Sequence, residues 1–130
     1  MGSPLVNDVY GVAIYKDKEV VWGNHANGKT NGAVVIASNI KDKNTYKPLT
    51  KAIDGVSALV SEKNSIYYVD ATSSKLYRAK HHDGKFEIDM IHDKLAKINA
   101  IQVLDKYLYI NDAVGLHVLK TSNDKATKGY

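Results

Sequence analysis

The chain has 130 residues, 44% of them hydrophobic, with 18 Lys+Arg against 14 Asp+Glu, 2 Pro, 9 Gly and no Cys. That is the length of one ordinary domain with chain enough to bury a core. Without cysteine there is no disulfide framework, zinc ribbon or thiol chemistry, and no run reaches the roughly 18 apolar residues of a membrane-spanning helix. The net charge of +4 comes from scattered Lys beside acids, as in Lys16-Asp17-Lys18-Glu19 and Lys41-Asp42-Lys43, with Arg78 the single arginine. Such a pattern solvates turns; nucleic-acid recognition calls for a contiguous basic patch rich in Arg.

The apolar residues come in short bursts bounded by Gly, Asn, Asp, Ser and Lys. In chain order these are Val9–Tyr15, Glu19–Trp22, Ala33–Ala37, Val56–Val60, Ser65–Val69, Lys75–Ala79, Phe86–Ile91, Ile98–Leu104, Tyr107–Ile110 and Leu116–Leu119. Val, Ile and Tyr dominate them, as pleated, half-buried strands prefer. The one helix-compatible stretch, Asp93–Lys97, is too short to hold by itself. An all-β fold is expected. The opening Met1-Gly2-Ser3-Pro4 lacks the charged-then-apolar layout of a secretory signal.

Three segments share one plan. Val21-Trp22-Gly23-Asn24 leads to Ala33-Val34-Val35-Ile36, Tyr67-Tyr68-Val69-Asp70 to Leu76-Tyr77-Arg78-Ala79, and Tyr109-Ile110-Asn111-Asp112 to Leu116-His117-Val118-Leu119. The strand-end residues Asn24, Asp70 and Asp112 are 46 and 42 apart, and the alanines of the preceding strands, Ala13, Ala58 and Ala100, are 45 and 42 apart. A period of roughly 40–50 residues with four short strands per unit marks a β-propeller blade. Each unit reads as an inner strand of small and apolar residues, a second strand ending in the polar residue, a third, and an outer strand such as Tyr46–Leu49 or Phe86–Ile91. The units run over about 9–52, 53–95 and 96–120, between an N-terminal tail (1–8) and a C-terminal tail or closing strand (121–130).

Ile66-Tyr67-Tyr68-Val69-Asp70, with Lys75-Leu76-Tyr77-Arg78-Ala79 and the turn Asp83-Gly84, resembles the YWTD repeat of low-density-lipoprotein-receptor class B propellers. In the first unit Asn24 stands for the motif Asp; the third keeps Tyr109 and Asp112 without the Trp. The degenerate units are also similar to NHL-type and fungal fucose-lectin propellers. The resemblance implies a six-bladed ring, an extracellular setting, binding of protein ligands, and a structural inter-blade role for Asp70 and Asp112. At roughly 43 residues per blade the chain supplies three, and a half-ring leaves apolar end faces and unpaired edges. A homodimer completing the ring is expected, the rival being pairing with another half. The third unit lacks an obvious outer strand, which residues 126–130, the N-terminus or a partner would have to supply.

Gly23-Asn24-His25-Ala26-Asn27-Gly28-Lys29-Thr30 matches the phosphate-loop spacing G-x-x-x-x-G-K-[ST]. A phosphate loop must open a helix whose amides hold the anion, whereas Asn31-Gly32 and Ala33–Ile36 read as a turn and a strand. Nucleotide binding at 23–30 is therefore the disfavoured alternative. His25, His81, His82, His92 and His117 show no zinc-ligand spacing and no Ser/His/Asp array is recognisable, so no metal, cofactor or catalytic residue is assigned. The long connection from Trp22 to Gly32 carries Trp22, Asn24, His25, Asn27 and Lys29, groups able to hold a sugar or peptide by stacking and directed hydrogen bonds. Against this, Trp22 can pack between blades. The expected function is a non-enzymatic binding module for a protein or peptide, with a glycan-binding lectin and an enzyme, such as a propeller hydrolase, as alternatives.

Overall fold

The computed structural model describes residues 9–26 and 32–121. The fold is all-β. Eleven strands form three antiparallel sheets, each a simple meander in chain order. Sheet 1 holds β1 (Tyr10–Tyr15), β2 (Glu19–Asn24), β3 (Ala33–Ala37) and β4 (Tyr46–Pro48). Sheet 2 holds β5 (Val56–Glu62), β6 (Ser65–Asp70), β7 (Leu76–His82) and β8 (Lys85–His92). Sheet 3 holds β9 (Ile98–Leu104), β10 (Tyr107–Asp112) and β11 (Leu116–Lys120). The third unit thus has three strands among the described residues, and residues 126–130, one of the three sources considered for its outer strand, lie outside them. Asp93–Lys97, the one helix-compatible stretch, is an irregular link between sheets 2 and 3.

The sheets pack face to face, and sheet 2 lies in the middle. Successive side chains of a strand point to opposite faces, so β6 serves two cores at once. Ile66 and Tyr68 face sheet 1, joining Tyr15, Val21, Val34 and Ile36. Tyr67 and Val69 face sheet 3, joining Leu108, Ile110 and Leu119. This explains why the whole of Ser65–Val69 is buried and why its sequence is apolar on both parities. The first strands β1, β5 and β9 lie side by side across the three sheets. Tyrosine hydroxyls tie the layers: Tyr15 donates to the Asn64 carbonyl at 3.1 Å and Tyr67 to the Thr121 carbonyl at 3.2 Å.

The repeat is visible in the register. Asp70 pairs with Val56 and Val69 with Ala58; Asp112 pairs with Ile98 and Asn111 with Ala100, each with a bulge between. In sheet 1 the bulge falls between Tyr10 and Val12, at Gly11, whose φ of 69° suits glycine. Asn24, Asp70 and Asp112 each end the second strand of their sheet, but in sheet 1 it is Gly23 that takes the last first-strand partner, Tyr10, and of the alanines only Ala58 and Ala100 share a register place. Ala13 pairs with Val21, the register place of Val60 rather than of Ala58. Two differences add up to this slip: the β1–β2 turn uses three residues, Lys16–Lys18, where the β5–β6 turn uses two, Lys63 and Asn64, and Ala13 stands 11 residues before Asn24 where Ala58 stands 12 before Asp70. Between β7 and β8, Asp83 and Gly84 both take positive φ, the two-residue turn that matches strand twist.

Candidate functional site

An antiparallel meander sends its connections alternately to two ends. One end gathers the β2–β3, β6–β7 and β10–β11 loops together with the links entering sheets 2 and 3. The strand-end residues sit here. Asp70 accepts hydrogen bonds at Oδ1 from the amides of Thr72 (2.8 Å) and Ser73 (3.1 Å), and Asp112 accepts at Oδ1 from Val114 (2.9 Å) and Gly115 (3.0 Å). Short acceptors of this kind fold a turn onto its own side chain. Asp112 does more. Its Oδ2 accepts from the Ala96 amide at 2.8 Å, in the link arriving from sheet 2, and lies 3.0 Å from His117 Nε2. The residue after each aspartate repeats the tie through its backbone: Ala71 donates to the Gly55 carbonyl and Ala113 to that of Lys97.

These contacts set the electrostatics. Burial of Asp112 works against its charge, but the three backbone donors and His117 outweigh it and hold the carboxyl down at about 2. His117 is thereby held on an ionised carboxylate, and the His92 ring lies 5.4 Å from it. Burial, and then the neighbouring His117, push the His92 imidazole below its ordinary range. The two histidines are distant in the chain and stand on different sheets, so no local spacing in the sequence links them. Chemically the pair fixes an imidazole orientation, and among the described residues no three His, Cys, Asp or Glu side chains are grouped to hold a metal ion.

The loop residues singled out from sequence fall into three groups. Trp22 is 3% exposed and meets Tyr46 edge-on at 5.1 Å, so it serves as packing on sheet 1. Asn24 is fully buried opposite Ala33. His25 is half-buried, edge-on to Tyr10 at 5.4 Å, and lies so close over Gly55 that an added Cβ would meet its Cδ2 at 2.0 Å. Asn27 and Lys29 lie outside the described residues, as does the rest of the Gly28-Lys29-Thr30 triplet. Strand β3 comes next in the chain, where a phosphate loop would require a helix.

At the opposite, turn end two inter-sheet grooves open. Between sheets 2 and 3 the buried Arg78 guanidinium makes a 3.3 Å ion pair with Asp89, and Glu62, Glu87, Lys80 and Lys106 line the same cleft. With Lys63, four cations there face three carboxylates. Burial pushes the Tyr67 phenol beside Arg78 up, opposed by the guanidinium. Compared with protein-family models and with curated proteins, the chain shows no match.

Proposed function

We propose that the chain is a non-enzymatic binding module: its three sheets are consecutive propeller blades, as the YWTD resemblance implies, and two chains close a six-bladed ring that displays loops to a protein or peptide. The observation that supports this reading is the character of the two end faces. On the outer face of sheet 1, Val12 and Ile14 are 65% and 56% exposed beside Trp22 and Val20. On the outer face of sheet 3, Leu104 is 65% exposed opposite Tyr107, and Leu116 and Val118 continue the same face. Apolar sheet faces of this extent are covered in stable proteins. The two faces differ, so each joins the other kind, and a two-fold pair satisfies both contacts at once. The solution mass tests it. About twice the 14.3 kDa of the chain is expected, falling to the single-chain mass in Leu104→Lys; a folded wild-type monomer refutes the ring.

A lectin reading on the same scaffold is favoured by one feature. Tyr10 is half exposed and braced edge-on by His25, the presentation a sugar ring stacks upon. Loss of glycan binding in Tyr10→Ala with the solution mass unchanged would select it.

A further inference from the structure

The second groove of the turn end lies between sheets 1 and 2, and its chemistry differs from that of its neighbour. The β1–β2 turn, Lys47–Leu49 and the β7–β8 turn with the start of β8 enclose a recess of about 550 Å³. Its floor is aromatic and aliphatic. Tyr15 and Phe86 rings lie 5.6 Å apart, His81 meets Phe86 edge-on at 5.1 Å, and Ile36 and Leu49 complete the surface.

The rim is basic. Lys16 and Lys18 come from the β1–β2 turn, Lys47 from β4 and Lys85 from β8, all four exposed. None of them forms a salt bridge among the described residues; Lys16 lies over the Tyr15 ring, 5.4 Å from its centroid. Glu19 is the one carboxylate lining the recess. In the neighbouring groove Glu62, Glu87 and Asp89 offset the cations, so the basic character belongs to this recess and not to the turn end at large.

We propose that this groove binds an acidic peptide segment that lays one large apolar side chain on the floor formed by Ile36, Leu49 and Phe86 while its carboxylates meet the lysine rim. The floor decides between anionic ligands. A sulfated glycan satisfies the lysines but has no side chain for a recess lined by Ile36, Leu49 and Phe86, and an apolar anchor within a charged rim is how peptide sites combine affinity with selectivity. The inference rests on the binding-module reading for its ligand class, and it needs no ring, because every lining residue belongs to one chain.

The test is fluorescence anisotropy on the full chain with a labelled peptide of Asp and Glu flanking a central Leu. Lys47→Glu/Lys85→Glu, two exposed positions, is expected to weaken binding about tenfold or more, and so is raising salt, because the contacts at the rim are screened. Replacing the central Leu by Ser is expected to cause a loss of similar size. Equal binding by the double variant, equal binding of a Lys-for-acid peptide, or binding of a sulfated oligosaccharide with none of the acidic peptide overturns the proposal. A melting curve confirms that the variant is folded, and the solution mass, read separately, shows whether the ring or the groove has failed.

Discussion

Asp112→Ala removes one carboxylate and strips four donors of their acceptor. The amides of Val114 and Gly115 lie in an exposed turn, Val114 being 83% exposed, and water replaces most of what they lose. The Ala96 amide and His117 are partly buried where sheets 2 and 3 join, and there a lost charge-assisted bond costs about 1.5–3 kcal/mol. With a smaller contribution from the turn, the total is about 3 kcal/mol, which for a chain of this length lowers the melting temperature by about 10 °C. Differential scanning calorimetry with urea titration reads both quantities. Asp70→Ala is the internal control. Its carboxylate accepts from two exposed turn amides, Thr72 and Ser73, and a loss of about 1 kcal/mol is expected there. Equal effects of the two substitutions, or a drop of under about 2 °C for Asp112→Ala, would refute the argument that Asp112 joins two sheets and Asp70 folds only its own turn.

The same carboxylate predicts an acid limb. Its folded value of about 2 lies below the ordinary 3.8, so its contribution is complete above pH 4 and disappears as pH falls toward 2; Asp112→Asn should lack that part of the acid melting profile. His92 acts in a higher window. Its folded pKa is lowered below 6.5, so the unfolded chain binds the proton more readily and stability rises with pH up to that value; His92→Gln should flatten the slope in thermal melts between pH 5 and 7. Gly23→Ala should be severe, because an added Cβ would meet the Val56 side chain at 2.6 Å and the Tyr10 carbonyl at 2.7 Å, where backbone cannot yield. A loss of about 3 kcal/mol or failure to fold is expected, measured by urea unfolding. Gly55→Ala has its three nearest contacts on the His25 ring, a side chain that can turn away, so its cost should stay near 1 kcal/mol while the His25 and Tyr10 ring resonances shift in NMR spectra.

The all-β character and the three-fold repetition were legible in the chain alone. β-branched and aromatic bursts between turn residues are the pattern of short strands, and Asn24, Asp70 and Asp112 each end the second strand of a sheet. Strand boundaries were readable for the same reason, since turn residues such as Asp83-Gly84 act through local backbone energetics. What the linear order did not contain was every relation between side chains on different sheets. The slip of Ala13 came in part from one extra residue in a turn, the burial of Trp22 from packing on sheet 1, and the meeting of Asp112, His117 and His92 from the seating of sheet 3 on sheet 2. The basic groove likewise gathers Lys16, Lys18, Lys47 and Lys85 from elements of two sheets. Turn and strand preferences are set within a few neighbouring residues and can be read in order along the chain; contacts between sheets depend on the summed geometry of all the turns between them, which only the folded arrangement resolves.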